Sequence, residues 1–347
     1  MKRALITGDK GFVGRHFSRY LDARSWDVTG IDLVDGVDCI DFFRTDTSAR
    51  PFDLVLHCAA NVGGRQRIDN APVWIARNLA TDQAYFEWLS RARPRSAVYF
   101  SSSAVYPVQF QKQAGNVLQE YSAGYAGQSE PDAMYGWAKL TGELMAQHYT
   151  GNLTVVRPFS GYGTDQDICY PFPAFVRRAA GHIDPVPIWG DVDSTRDWIH
   201  IDDIVRATMA LVESETCGPI NLCTGRATSF LELAQMMAWA AGYSPEYSPR
   251  SDMPTGCFSR VGSTERLRRV YEPTISIEEG IDRVLALEIT DGDLTPVQPY
   301  LCYAAELEEL KEHLKAKHGL DNNKLPFKSF LTRGITARSD MDLAINL

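Results

Sequence analysis

The chain has 347 residues, 44% of them hydrophobic and 23% charged, with a formal net charge of −9. That length supports a sizeable core, in one large domain with a smaller lobe. The acidic balance argues against nucleic acid or an anionic membrane as partner, while leaving room for a locally basic pocket. No apolar run approaches the ~20 residues of a membrane span, no signal-peptide pattern is present, and the seven cysteines include no CxxC pair. The sequence therefore predicts no metal site, no disulfide framework and a cytoplasmic setting.

In chain order, the first half alternates short apolar runs with longer amphipathic ones. Residues 3–6, 27–31, 54–57, 97–100 and 153–156 read as buried strands, and 12–23, 73–91 and 135–149 as helices. This alternation implies a parallel sheet covered on both faces, the doubly wound α/β arrangement. Proline and glycine then punctuate 158–190 and 244–256, with helices at 172–180, 202–213 and 230–241. The reading is a sheet domain over 1–160, a smaller mixed α/β lobe over 161–290 interleaved with the end of the sheet, and a helical tail over 291–347. Within that tail, 303–318 is amphipathic, with Leu307, Leu310 and Leu314 on one face.

The first strand runs into Thr7-Gly8-Asp9-Lys10-Gly11-Phe12-Val13-Gly14 and then a helix. Glycine permits the tight turn and lets the backbone approach a pyrophosphate. The helix start offers unpaired N–H groups and a positive dipole end. Gly8, Gly11, Phe12, Val13 and Gly14 are therefore candidate cofactor contacts. Asp32 follows the second strand, 18 residues after Gly14. A carboxylate there accepts from both ribose hydroxyls and repels a 2′-phosphate, which favours NAD over NADP. Asp41 and Phe42 come after the next apolar run; they hold the adenine edge or belong to a solvated loop.

Tyr135 and Lys139 have the Y-x-x-x-K spacing, which puts both on one helix face. The ammonium beside the phenol favours its ionised form, so the tyrosine suits a base near neutral pH. Upstream, Ser101, Ser102 and Ser103 end an apolar strand and face the same crevice, where one hydroxyl can bond the reacting oxygen.

In kind and order these residues resemble the extended short-chain dehydrogenase/reductase family, which includes the nucleotide-sugar epimerases and dehydratases. The likeness is carried by the glycine loop, His57-Cys58-Ala59-Ala60, Asn78, the serine strand, Tyr135 with Lys139, Arg157-Pro158 and Arg196-Asp197-Trp198-Ile199-His200, over roughly residues 1–285. The resemblance implies a Rossmann-type domain, a C-terminal sugar-nucleotide lobe, NAD as cofactor, and a homodimer built on the helices containing Asn78 and Tyr135. It implies that Tyr135 takes a proton from a sugar hydroxyl, usually O4, and that Lys139 orients the nicotinamide ribose. Ser102 assists, with Ser101 and Ser103 as neighbouring alternatives. It adds Ala59, Ala60, Asn78 and Pro158 to the cofactor contacts, and Ser103 and Ser160 to the substrate contacts. Arg196 and Arg260 resemble arginines that grip the substrate pyrophosphate; the alternative for each is a surface salt bridge.

Departures narrow the reaction. The family's 4,6-dehydratases carry Asp-Glu where this chain has Ser103-Ala104, and its GDP-sugar 3,5-epimerases carry cysteine where this chain has Ala104. Yet Val62-Gly63-Gly64 and the Pro-x-Gly run before Arg260 are similar to those GDP-sugar enzymes. Ser160 replaces a common asparagine, and Arg65 and Arg67 either read a substrate carboxylate or phosphate or lie in a solvated loop. The plain Ser/Tyr/Lys set predicts an NAD-dependent nucleotide-sugar epimerase acting at C4 through a transient 4-keto sugar. The alternatives are a nucleotide-sugar dehydrogenase, reductase or decarboxylase, a GDP-sugar-type epimerase or reductase, and a non-catalytic NAD-binding protein.

Overall fold

The computed structural model describes residues 1–47, 51–123, 130–253 and 255–290. The amphipathic segment expected at 303–318 lies outside the described residues. The strands of the first half are β1 (Arg3–Thr7), β2 (Asp27–Ile31), β3 (Leu54–His57), β4 (Ser96–Phe100), β5 (Val117–Leu118) and β6 (Leu153–Pro158). They are followed by β7 (Ser160–Tyr162), β8 (Val186–Trp189), β9 (Thr195–Arg196), β10 (Trp198–His200), β11 (Pro219–Leu222), β12 (Thr228–Ser229), β13 (Tyr247–Arg250) and β14 (Ser259–Gly262). The helices of the first half are α1 (Phe12–Asp22), α2 (Cys39–Thr45), α3 (Arg65–Asn70), α4 (Pro72–Ala92) and α5 (Ala133–Gln147). Beyond them come α6 (Pro171–Ala180), α7 (Ile201–Glu213), α8 (Phe230–Ala240) and α9 (Ile277–Thr290).

Six strands form one sheet in the order β11-β6-β4-β3-β1-β2, and every neighbouring pair in it is parallel. All five strands read from the sequence are in it. β11 was not foreseen, because Asn221 interrupts its short apolar run. The order reverses at β1, with β2 on one side and β3 on the other. A sheet of this kind opens a crevice at such a switch point, outside the carboxyl ends of the strands.

Side chains alternate across a strand, and with both faces covered the strands carry unbroken apolar runs. Ala4, Ile6, Leu54, Leu56, Val98 and Val156 pack with Phe17 and Leu21 of α1 and with Ile204, Val205 and Leu211 of α7. Their chain neighbours Leu5, Val55, Ala97, Tyr99 and Val155 pack on the opposite face with Phe43 of α2, Tyr85 and Trp88 of α4, and Ala146 of α5. The doubly wound α/β arrangement is thus written residue by residue into the strand alternation.

The chain separates into two compact units that interleave in sequence. One comprises Met1–Tyr162, Trp189–Phe230 and Arg250–Ile277; the other comprises Gly163–Ile188, Leu231–Pro249 and the residues from Glu278 onward. The second unit holds α6, α8 and most of the paired strands β8 and β13.

In the first unit, α5 is fastened to the sheet by a buried ion pair. Glu143 of α5 and Arg157 of β6 are each 1% exposed. Arg157 donates from Nε to Glu143 Oε1 at 2.8 Å and from Nη2 to Oε2 at 2.6 Å. Its Nη1 donates to the Tyr106 hydroxyl at 3.0 Å and the Glu120 carbonyl at 2.7 Å, and Ser101 donates to Glu143. Tyr106 in turn donates to Asn221 Oδ1 on β11 at 2.5 Å. Burial alone would lower the Arg157 pKa, but Glu143 and Tyr106 raise it further than burial lowers it. Two charges withdrawn from water are tolerated only with this completeness of pairing, and removing one partner strands the other. Replacing Glu143 by Ala should therefore lower unfolding stability by about 3–5 kcal/mol, read as a fall in the urea midpoint. A loss of less than about 1 kcal/mol would show the pair to be dispensable.

Candidate active site

The glycine loop joins β1 to α1 at the switch point. Gly8 has φ +71, and a Cβ there would stand 2.8 Å from Ala59 Cα, so the turn and the loop after β3 require glycine. Gly14 lies against the Gly8 carbonyl, where a side chain would overlap it. Gly11 is the N-cap of α1 and brings no side chain to the helix's first N–H groups. These N–H groups and the positive end of the helix are what a pyrophosphate needs. The residues present therefore fit a dinucleotide: glycines at the close approaches of the loop lead into a helix start with no side-chain cap. Phe12 and Val13 form the first turn of that helix.

Asp32 ends the loop's other wall. Its Oδ2 accepts from Lys10 N at 3.0 Å and its Oδ1 from Val34 N at 3.0 Å. The Lys10 ammonium is held by Asp9 at 2.9 Å and by Asp35 at 3.2 Å, and these bonds raise its pKa. Three carboxylates against one ammonium make this end of the crevice hostile to a further phosphate. Asp41 is exposed in the first turn of α2, while Phe42 packs beside Phe43 and Trp88 at ring-centroid distances of 5.9 and 6.2 Å. Asn78 braces the loop after β3: its Oδ1 accepts from Asn61 N at 2.6 Å and its Nδ2 donates to Asn61 O at 2.9 Å. Ala59 and Ala60 lie in that loop, and Ala59 N donates to Thr7 Oγ1 at 3.4 Å.

Tyr135 and Lys139 are on α5, one turn apart. Gly136 lets that turn approach the Ala104 carbonyl, where a Cβ would overlap it. The serine run and Tyr135 are thereby brought side by side. Ser101 is engaged with Glu143 and Ser103 is buried. Ser102 is half-buried and caps the following turn, its Oγ accepting from Ala104 N at 3.1 Å. Lys139 is 2% exposed, and its Nζ stands 4.9 Å from the Tyr99 ring centroid. Below it lies a buried chain: Tyr99 donates to Asp82 Oδ2 at 2.5 Å, His57 Nε2 meets Asp82 Oδ1 at 3.3 Å, and His57 Nδ1 meets Thr7 Oγ1 at 2.7 Å. Burial pushes the His57 imidazole down, so it stays neutral. Burial would raise the Asp82 carboxyl, but Lys139, His57 and Tyr99 together hold it below its ordinary value.

A basic patch is built on another pair of strands in the same unit. Arg196 on β9 and Arg260 on β14 are register partners in parallel strands, so their side chains leave on one face. Arg260 donates from Nε to Gln111 Oε1 and from Nη2 to Asp132 Oδ2, both at 2.6 Å. Arg65 joins them, donating from Nη1 to Asp132 Oδ1 at 2.6 Å while gripping Asp69. Burial would raise the Asp132 carboxyl, but Arg260 and Arg65 overcome it and hold it at about 2. A carboxyl depressed in this way stabilises the fold above its ordinary titration range, and that contribution fades as pH falls toward 2. Arg196 bonds to the Thr195 carbonyl at 2.8 Å and lies over the Phe230 ring at 5.1 Å. Burial pushes its pKa down. A half-buried guanidinium whose hydrogen bonds go to carbonyls is well suited to an anionic ligand. Arg67 stacks on Trp74 at 3.9 Å. Ser160 and Pro158 lie at the carboxyl end of β6 and the start of β7, where Ser160 N donates to Asp197 O at 3.0 Å.

The sequence reading missed Asp82, Tyr99, Asp132 and Glu143. Glu143 follows Lys139 by one further turn, and Asp132 precedes Tyr135 by three residues, so helix spacing marks both as neighbours of the catalytic face.

Residues 4–223 match the model of the NAD dependent epimerase/dehydratase family. The chain is 27% identical over 305 residues to dTDP-4-dehydro-6-deoxy-D-allose reductase of Streptomyces bikiniensis, a match that spans 78% of this chain and 92% of the relative. It is 27% identical over 263 residues to GDP-mannose 3,5-epimerase 1 of Oryza sativa subsp. indica, across 68% of each chain. Its fold is similar to that of a UDP-glucose 4-epimerase of Thermus thermophilus in complex with NAD, with a TM-score of 0.69 at 23% identity over 82% of this chain and 98% of that one. The protein is a dinucleotide-dependent enzyme of the nucleotide-sugar epimerase and reductase class. It belongs to the NAD dependent epimerase/dehydratase family.

The carboxylates around Lys10 should set cofactor choice. Asp32→Asn should narrow the preference for NAD over NADP by about tenfold or more, since one pairwise charge term near the surface amounts to a few kcal/mol at most. Calorimetric titration of both dinucleotides checks this; an unchanged ratio would remove Asp32 from cofactor discrimination.

Proposed function

We propose that this enzyme is an NAD-dependent nucleotide-sugar epimerase acting at C4. The observation that carries the reading is the plainness of the reacting set. Ser102 precedes the turn against which the start of α5, the helix carrying Tyr135 and Lys139, packs, and the position that serves water elimination or 3,5-epimerisation elsewhere in the family is a buried alanine, Ala104. Bound NAD supplies a hydride acceptor that becomes the donor in the second half of the cycle, so oxidation and re-reduction balance.

The chain's residues divide the remaining work. The glycine loop and the start of α1 bind the pyrophosphate of NAD, and Asp32 takes the adenosine ribose. Lys139 orients the nicotinamide ribose and supplies the positive charge beside the Tyr135 oxygen. Tyr135 removes the proton from O4 and returns it, while the Ser102 hydroxyl bonds the same oxygen. Arg196 and Arg260 grip the substrate diphosphate, so that the keto sugar can turn over between the two half-reactions without leaving. The enzyme works as a homodimer through α4 and α5, a reading supported by Leu79, Met134, Trp137 and Leu144, which are exposed on those helices. Trp137 is 47% exposed, and Trp137→Glu should convert the dimer to monomer in sedimentation equilibrium; a wild-type monomer would refute this part of the reading.

A nucleotide-sugar 4-keto reductase is the second reading, favoured by the Streptomyces relative, 92% of whose length is matched. Incubation with UDP-, GDP- and dTDP-hexoses without added reduced cofactor separates the two. Epimerisation gives a product of unchanged mass with an inverted H4 coupling pattern in the proton spectrum, and Tyr135→Phe slows it by about 10²–10⁴-fold with NAD affinity retained. A protein that epimerises none of these but reduces a nucleotide-linked 4-keto sugar, consuming one added reduced cofactor per product, would replace epimerisation by reduction.

A further inference from the structure

Asp132 occupies the N-cap position of α5, yet its side chain does not cap the helix. It is spent on arginines. Its two oxygens hold Arg65 and Arg260 at 2.6 Å each, with the carboxylate side chain 12% exposed. Its backbone N–H donates to the Ala104 carbonyl at 2.8 Å, in the turn that follows Ser102. Arg260 is fixed from the other side by Gln111, whose Nε2 is anchored to the Tyr106 carbonyl at 2.9 Å. One residue therefore joins the patch of arginines, through its carboxylate, to the turn after Ser102 and the helix carrying Tyr135, through its backbone.

This arrangement is poor for binding a diphosphate as tightly as possible. A fixed negative charge among the cations opposes an incoming anion. It is good for holding those cations at a set distance from the reacting oxygen. We propose that Asp132 is a positioning residue that sets the spacing between the diphosphate-gripping arginines and the Tyr135 hydroxyl, and that it weakens diphosphate binding in doing so. The proposal rests on the nucleotide-sugar reading above.

The two effects have opposite signs, which makes them separable. Asp132→Asn keeps the shape and one acceptor but removes the charge. In the full chain it should bind UDP, GDP or dTDP about three- to tenfold more tightly by calorimetry. Its kcat on the sugar nucleotide should fall about 10- to 100-fold because the sugar is no longer held in register with Tyr135, with no rise in KM. Asp132→Glu, which retains the charge, should keep wild-type diphosphate affinity and recover part of the lost kcat. Weaker diphosphate binding in Asp132→Asn, or an unchanged kcat, overturns the proposal. So does a fall in NAD affinity that parallels the fall in turnover, since that marks a role in stability alone. If the Asn variant does not fold, Arg65→Gln probes the same carboxylate from its other partner. There both diphosphate affinity and kcat should drop, and unchanged values of both overturn the proposal. A wild-type protein that binds nucleoside diphosphates but turns over no sugar nucleotide would fail the functional reading while leaving the binding comparison intact.

Discussion

A helix can offer a tyrosine and a lysine to a dinucleotide only if its axis is fixed against the carboxyl edge of the sheet, and here the Glu143–Arg157 pair fixes it. The pair sits two turns beyond Tyr135, deep enough that water does not compete for it. Through Ser101 it also holds the serine strand, and through Tyr106 and Asn221 it reaches the last strand of the sheet. One ion pair thereby sets the relative placement of Ser102, Tyr135 and Lys139. Gly136 completes the fit by letting the first turn of α5 close on the Ala104 carbonyl. The catalytic geometry is thus a consequence of core construction rather than of the reactive residues themselves.

Charge is sorted along the crevice with little regard to the net value of −9. Asp9, Asp32 and Asp35 surround Lys10 on the wall proposed to take an adenosine ribose. Arg65, Arg196 and Arg260 gather on the face assigned to a diphosphate, with Asp132 among them. Lys139 is buried over the Tyr99 ring, whose hydroxyl donates to Asp82. An acidic protein can bind a doubly anionic substrate when its cations are concentrated on one face, because short-range fields in a partly buried site outweigh the screened field of the whole surface.

What was legible in the sequence and what was not divide along a physical line. Five of the six strands of the sheet, the glycine loop and the Tyr135–Lys139 spacing depend on neighbours a few residues apart, and periodicity reads such neighbours directly. Glu143, Asp82 and Asp132 take their meaning from Arg157, Tyr99 and Arg260, partners brought near only by the fold. Ser101 faces a buried carboxylate that no local pattern announces. Arg65 was left between a substrate role and a solvated loop. Its shared carboxylate with Arg260 takes it out of the solvated loop and into the basic patch. Asn78 braces the backbone of Asn61, so the loop after β3 is shaped by a side chain of α4.

A sugar hydroxyl and a nicotinamide ring are proposed to meet at Tyr135. The most direct measurement is a single turnover of the NAD-loaded protein with its sugar nucleotide and no other cofactor, followed by the absorbance of reduced nicotinamide. The account predicts a rise that decays as the epimeric product appears, with neither phase present in Tyr135→Phe. A product that accumulates while the absorbance stays flat would contradict it.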